Sequence, residues 1–164
     1  MSILGFIKDA GEKLFGKAQA APAAAPAADP AAVEAANRAA GEAIEKYIAS
    51  MSLAATGLSV QVDAAKALVT VFGVAPDQAT REKIILCCGN VSGVEQVEDK
   101  MSVRTDAPGS QWHTVEKGDT LSAIAKKFYG NANLYPGIFE ANRPMLTHPD
   151  KIYPGQKLRI PPQP

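Results

Sequence analysis

Few side chains in this sequence have the type and spacing that chemistry requires. The 164-residue chain contains two histidines, His113 and His148, which lie far apart and show none of the short spacings of metal ligands. A catalytic site would need a nucleophile, a base and an orienting group in one constellation, and the sequence offers none. It therefore predicts a binding protein with no catalytic residues, and not an enzyme.

The two cysteines, Cys87 and Cys88, are adjacent and fall in a segment for which we predict a helix. Neighbouring side chains on a helix diverge, which is unfavourable for a disulfide. The pair also lacks the two-residue spacing of redox and zinc motifs. We interpret both as small apolar core residues in a protein that is kept reduced, which favours the cytoplasm.

Charge and hydropathy argue against several kinds of partner. Seventeen basic and 17 acidic side chains cancel, so the net charge gives no reason to expect a nucleic acid or an anionic membrane. Lys8 and Asp9 interrupt the N-terminal apolar residues, where a signal peptide would be continuously apolar. No apolar run approaches the roughly 20 residues of a membrane-spanning helix. We therefore expect a soluble, cytoplasmic monomer.

The first 17 residues, MSILGFIKDAGEKLFGK, predict a short amphipathic helix. Its apolar residues share one face and its charged residues lie on another. The apolar residues are Ile3, Leu4, Phe6, Ile7, Ala10, Leu14 and Phe15. Residues 18–32 are rich in Ala and Pro with almost no large side chain, and predict a semi-rigid tether. The apolar face has to be buried against another part of the molecule.

Residues 33–103 predict a small α+β domain. Apolar residues recur every third or fourth position where we predict helices, and every second position where we predict strands. In order, the predicted elements are a helix from Pro30 to about Met51, a hairpin with its turn at residues 63–66, a helix capped by Asp77, and a strand containing Val97, Met101 and Val103. The order αββαβ is typical of a sheet with helices on one face.

This middle region resembles a BON domain. The resemblance lies in the run VTVFGVAPDQATREKIILCCGNVSGVEQVEDKMSV. In that run a strand ends in Gly73, a helix follows, and a turn at Gly93 and Val94 leads to the last strand. The resemblance implies an αββαβ sandwich. Residues 104–110 have the composition of a linker that ends the domain.

Residues 111–164 resemble a LysM domain. The segments HTVEKGDTL and KIYPGQKLRIP match the opening and the close of such domains. Asp119 or Thr120 can cap a first helix. Asn133 can cap a second helix, which tolerates Pro136 in its first turn. The resemblance implies the order βααβ.

The complete arrangement is similar to one family. A short N-terminal segment containing KDAGEKL, one BON domain and one C-terminal LysM domain resemble the small cytoplasmic bacterial potassium-binding proteins of BON-LysM architecture over nearly the full length. The stretches FIKDAGEKL, GNVSG, YGNANLY and KIYPGQ match closely. The resemblance implies a soluble K⁺ sensor whose two domains close together when the ion binds.

The same resemblance implies that main-chain oxygens hold the ion. Neutral carbonyls can replace the hydration shell of K⁺ without the cost of burying a carboxylate. They are unpaired where a helix ends, and glycines let the backbone turn several of them to one point. By resemblance, the ligands are the carbonyl oxygens of Ile7, Ala10, Glu12, Gly89, Val91 and Gly93. The competing interpretation is an ordinary helix end at Gly89 and an ordinary amphipathic helix at the N-terminus.

Two other functions are considered. LysM domains as a class bind the N-acetylglucosamine backbone of peptidoglycan or chitin in a shallow groove between two loops. Here the groove residues would be Gly118, Asp119, Thr120, Leu121, Ile152, Tyr153 and Pro154. These residues can equally be turn and core, and we find no export signal that would bring the chain to the cell wall. Membrane association through the first helix is less favoured, because its polar face has no surplus of Lys or Arg for anionic lipid.

Overall fold

The computed structural model describes residues 29–163. The predicted N-terminal helix and most of the tether lie outside the described residues. The helices and strands are α1 (Pro30–Ser50), β1 (Thr56–Asp63), β2 (Leu68–Asp77), α2 (Gln78–Gly89), β3 (Gln96–Thr105), β4 (Gln111–Thr114), α3 (Leu121–Tyr129), α4 (Tyr135–Ala141) and β5 (Lys157–Ile160). This order confirms the α+β class, with αββαβ followed by βααβ.

The first domain is a three-stranded sheet covered by α1 and α2. Its strand order is β1-β2-β3, with β1 and β2 antiparallel and β2 and β3 parallel. Strands β2 and β3 are parallel because of their connection: the crossover through α2 returns the chain to the end of the sheet at which β2 begins. Both helices and all three strands contribute to one core, whose largest fully buried members include Ile44, Ile48, Val69, Val71, Ile84 and Leu86.

Side chains fix the start of each helix in this domain. The Asp29 carboxylate accepts a hydrogen bond from Ala31 N at 3.1 Å, and Pro30 occupies the first turn. The predicted helix start at Pro30 is therefore confirmed, and the tether prediction extended three residues too far, through residues 30–32. The Asp77 carboxylate accepts from Thr80 N at 2.7 Å, so its role as a cap is confirmed.

The prediction that both cysteines are buried core residues is also confirmed. Cys87 and Cys88 are both free thiols, fully buried in the first core. Burial raises the pKa of Cys87 to about 12 and raises that of Cys88 as well. Both thiols are protonated at neutral pH and serve packing, not reactivity.

The second domain pairs β4 with β5 in an antiparallel ladder and packs α3 and α4 against it. Thr120 Oγ1 accepts from Ala123 N at 3.1 Å, so Thr120 and not Asp119 caps α3. The prediction that Asn133 caps the next helix is wrong. Asn131 accepts from Asn133 N at 3.0 Å and opens a 3₁₀ turn instead, after which α4 begins at Tyr135.

The connection between the domains is short and firmly held. Strand β3 continues to Thr105, so two residues of the predicted linker belong to the sheet. At its other end, Ser110 N donates a hydrogen bond of 2.8 Å to the Glu82 carboxylate on α2. The side chain of Met145, from the second domain, is buried in the core of the first. The two domains therefore share a packed interface.

Candidate functional site

The GNVSG loop, residues 89–93, leaves the C-terminal end of α2. The first two amides after the helix turn back into it, with Asn90 N donating to Leu86 O at 3.1 Å and Val91 N donating to Cys88 O at 3.2 Å. Gly93 has φ of +89°, a left-handed conformation that favours glycine. The loop therefore starts at a helix end, where carbonyls lack intrahelical partners and carry the negative end of the helix dipole.

Three predicted ligands belong to this loop, and their carbonyls differ. Val91 O accepts a hydrogen bond from Val94 N at 3.1 Å, and the Val91 side chain is buried in the core. Among residues 29–163, no donor pairs with the carbonyl oxygens of Gly89 and Gly93. Within the described part of the chain, the loop thus offers two carbonyl oxygens without a donor and the second lone pair of a third.

The other three predicted ligands, Ile7, Ala10 and Glu12, lie outside the described residues. The structure therefore brings together one half of the predicted set, within a single loop. In the described part of the chain, no group of three or more His, Cys, Asp or Glu side chains is placed to hold a metal ion. The oxygens of the GNVSG loop are its main-chain carbonyls and the side-chain oxygens of Asn90 and Ser92.

An apolar groove of about 270 Å³ lies next to the loop, between the two domains. One wall comes from α2 and β3 and includes Gly89 and Val97. The other comes from β4 and β5 and includes Trp112, whose residue surface is 45% exposed, and Lys157. A Cβ placed on Gly89 would lie 3.3 Å from Lys157 Cδ. The second domain therefore reaches the immediate neighbourhood of the predicted ion loop.

Both loops of the predicted glycan groove lie at one end of the β4-β5 ladder. Val115 N donates to Gln156 O, and Gly155 N donates to Val115 O, each at 2.8 Å. These bonds continue the ladder beyond β4 and hold the two loops side by side. Gly118, with φ of +93°, and Pro154 are exposed on them.

Several predicted groove residues have a structural role within the second domain. Leu121 is buried in the second core, and Thr120 caps α3. The Asp119 carboxylate accepts from Glu116 N at 3.0 Å and pairs with His113 Nε2 at 2.8 Å. These two contacts hold the pKa of the Asp119 carboxyl below its usual range, and the bond from Glu116 N has the larger effect. Ile152 and Tyr153 are half-buried, so only part of the predicted set remains open to a ligand.

Comparison with known proteins agrees with the two-domain architecture. The BON domain family model matches residues 39–105, and the LysM domain family model matches residues 113–161. The potassium binding protein Kbp of Escherichia coli O6:H1 (strain CFT073) is 42% identical over 162 residues, which cover 98% of this chain and 99% of Kbp. The chain belongs to the Kbp family.

Two further relatives match only part of the chain. An uncharacterized protein of Deinococcus radiodurans is 37% identical over 75 residues, 44% of this chain and 29% of its own length. The uncharacterized protein YqbP of Bacillus subtilis is 32% identical over 77 residues, 42% of this chain and 35% of its own length. The similarity to Kbp, in contrast, also takes in the N-terminal segment and the tether.

In this member of the Kbp family, the contacts that join the domains were not predicted. Asn90, inside the GNVSG loop, exchanges two hydrogen bonds with the backbone of Lys157 on β5. About two helix turns before the loop, Glu82 forms a buried ion pair with Arg159. A charged residue between Leu158 and Ile160 in a short strand was the available signal for this second contact. Within residues 29–163, no helix is long and apolar enough to cross a bilayer.

Proposed function

We propose that this protein is a cytoplasmic K⁺ sensor that holds the ion with main-chain oxygens and becomes more compact when it binds. The observation that carries the proposal is the 42% identity with the potassium binding protein Kbp over nearly the full length of both chains. A binding role without catalysis agrees with the two domain families that match the chain.

The GNVSG loop supports this choice of ligand. The carbonyls of Gly89 and Gly93, for which residues 29–163 provide no hydrogen-bond donor, follow the C-terminal end of α2, where the helix dipole is negative. K⁺ is large and weakly hydrated, so several neutral oxygens can replace its water at low cost. The proposed cage combines the carbonyls of Gly89, Val91 and Gly93 with those of Ile7, Ala10 and Glu12 from the N-terminal segment.

Titration with KCl should stabilise the full-length protein, and NaCl at equal ionic strength should have a much smaller effect. Binding to the folded state adds about 2.7 kcal/mol when the free ion exceeds the dissociation constant 100-fold. Calorimetry gives the affinity, and the melting temperature reports the stabilisation. Small-angle X-ray scattering should show a smaller radius of gyration in KCl, because an ion held between two segments draws the tether in.

Two variants separate the proposed ligands from nonspecific salt effects. Deleting residues 1–17 should abolish both the KCl stabilisation and the compaction, while the chain still unfolds cooperatively. Glu12→Gln should leave K⁺ binding within about twofold, because the proposed ligand is the main-chain oxygen of that residue. Equal responses of the full-length protein to KCl and NaCl would refute K⁺ sensing.

Glycan binding is the second candidate, and one observation favours it. The LysM match coincides with two adjacent loops that expose Gly118 and Pro154. We propose that this surface binds no peptidoglycan in the cell, because the protein stays in the cytoplasm. Cell fractionation should recover the protein in the cytoplasm. Recovery with the cell envelope, together with co-sedimentation of the pure protein with peptidoglycan, would reverse the preference for K⁺.

A further inference from the structure

We propose that Asn90 is a positioning residue for the ion loop. Its side chain clamps the GNVSG loop to strand β5 of the LysM domain, so that docking of this domain raises the affinity of the loop for K⁺ without supplying a ligand. This inference rests on the proposed function, because it concerns the same loop. It goes beyond that function by naming the contact through which the two domains communicate.

The clamp consists of two hydrogen bonds of opposite direction. Lys157 N donates to Asn90 Oδ1 at 2.8 Å, and Asn90 Nδ2 donates to Lys157 O at 3.0 Å. A side-chain amide that both accepts from and donates to one residue reproduces the pairing of a neighbouring strand. The outer edge of β5 would otherwise leave these backbone groups without a strand partner.

A second asparagine, Asn142, pairs with the backbone of Arg159 on the same edge of β5. Arg159 N donates to Asn142 Oδ1, and Asn142 Nδ2 donates to Arg159 O, both at 2.7 Å. Asn142 ends α4 and belongs to the LysM domain itself. The edge of β5 is therefore completed by two equivalent amides, one from its own domain and one from the GNVSG loop. The second pair provides an internal control for the first.

Asn90 is also placed to orient the predicted ligands. It stands between Gly89 and Val91, and the carbonyl of Gly89 belongs to the same peptide plane as Asn90 N. Asn90 N is held by Leu86 O at 3.1 Å, while the side chain is held by Lys157. A residue fixed at both its backbone and its side chain restricts the direction of the Gly89 carbonyl. Restricting a ligand before binding reduces the entropy lost on binding.

Other contacts keep the domains docked when the clamp is removed. The buried pair of Glu82 and Arg159, the bond from Ser110 N to Glu82, and the burial of Met145 all lie outside the loop. We therefore expect Asn90→Ala to fold with the native domain arrangement. Its effect on the ion would then come from the loop.

The direct test is K⁺ calorimetry on the full-length protein. Asn90→Ala should weaken K⁺ binding about tenfold, which corresponds to the loss of one to two net hydrogen bonds. Asn37→Ala is the matched control, because Asn37 also accepts a hydrogen bond from a backbone amide, Ala64 N at 3.3 Å, but lies on α1, outside the GNVSG loop. This control should bind K⁺ within about twofold of the unaltered protein.

Hydrogen exchange gives a second test that needs no variant. Coupling is reciprocal, so a clamp that strengthens K⁺ binding tenfold is itself strengthened tenfold by K⁺. The Lys157 amide should exchange about tenfold more slowly in saturating KCl than in NaCl. The Arg159 amide, held by Asn142, should change much less.

The outcomes distinguish this inference from the proposed function. If the unaltered protein binds K⁺ but Asn90→Ala binds equally well, or the Lys157 and Arg159 amides respond alike, the clamp has no positioning role and K⁺ sensing stands. If the unaltered protein does not bind K⁺, both proposals fail. Weaker binding by Asn90→Ala, with Asn37→Ala unchanged and selective protection of Lys157, supports the inference.

Discussion

Replacing Arg159 with methionine should lower the free energy of unfolding by about 3–5 kcal/mol, the usual cost of removing one partner from a buried ion pair. Glu82 and Arg159 are both buried, at 5% and 7% exposure, and Arg159 Nε donates directly to the Glu82 carboxylate. Without Arg159, the carboxylate would stay in the interface with its charge uncompensated. Substituting one side chain in the second domain should therefore destabilise the first.

The contacts around Glu82 keep its carboxylate charged in the unaltered protein. Its other carboxylate oxygen accepts from Ser110 N and from Gln78 Nε2, each at 2.8 Å. Burial raises the pKa of Glu82, but these hydrogen bonds and Arg159 together outweigh burial and hold the pKa below its usual range. The carboxylate is therefore ionised at neutral pH in the unaltered protein. After Arg159→Met its pKa should rise, because burial then acts against fewer compensating contacts, and either an uncompensated charge or the uptake of a proton costs stability.

Chemical denaturation monitored by circular dichroism measures this effect. An exposed ion pair is the matched control: Arg38→Met removes the partner of Glu34 on the surface of α1 and should change stability by less than about 0.5 kcal/mol. Adding Glu82→Leu to Arg159→Met should recover part of the loss, because no buried charge then remains. A loss below about 1 kcal/mol for Arg159→Met alone would show that water reaches the pair.

Local patterns predicted most of the fold. The Asp77 cap, the hairpin turn and the burial of Cys87 and Cys88 each depend on residues within one or two turns of chain, so the sequence carries their full cause. The exception is the second LysM helix, α4, whose start at Tyr135 has no side-chain cap; Asn131 caps the preceding 3₁₀ turn. Asparagine is a good cap residue by type, but the sequence alone does not show that a 3₁₀ turn precedes this helix.

The interface could not be predicted in the same way. Asn90 at the end of a helix resembles an ordinary cap, and its partner Lys157 lies 67 positions away. Glu82 and Arg159 are 77 positions apart. Each residue alone is compatible with an exposed surface, and only the docking of two domains makes it buried. Long-range polar pairs of this kind leave no periodic signal in either segment.

Prediction of the candidate ion site from the sequence was limited by a different cause. Main-chain ligands do not constrain the side chain, so Gly89 was identifiable only as a glycine near a helix end. Even there, the φ angle that requires glycine belongs to Gly93. Family resemblance supplied the remaining ligands, of which Ile7, Ala10 and Glu12 lie outside the described residues. Solution measurements on the full chain are the way to test them.

Close packing of α1 on β1 depends on a glycine within the helix. A Cβ added to Gly41 would lie 2.1 Å from Val60 O and 3.2 Å from Val60 C, both backbone atoms of β1. Four residues further along α1, the Glu45 carboxylate accepts from Val60 N at 2.8 Å. One face of the helix therefore contacts the backbone of one strand residue at two points. An added methyl group has no flexible neighbour that could move aside.

Gly41→Ala should consequently destabilise the protein by about 2 kcal/mol in total, because overpacking at the upper end of its usual range costs about 3 kcal/mol. Helix propensity acts in the opposite direction and favours alanine by about 1 kcal/mol, so the sign of the change decides which effect dominates. The control is Ala35→Gly, an exposed position on α1, which should lose about 1 kcal/mol from propensity alone. Urea denaturation of both variants gives the comparison. A Gly41→Ala protein more stable than the unaltered chain would mean that α1 can move away from β1 at little cost, and that the bond between Glu45 and Val60 does not hold it in place.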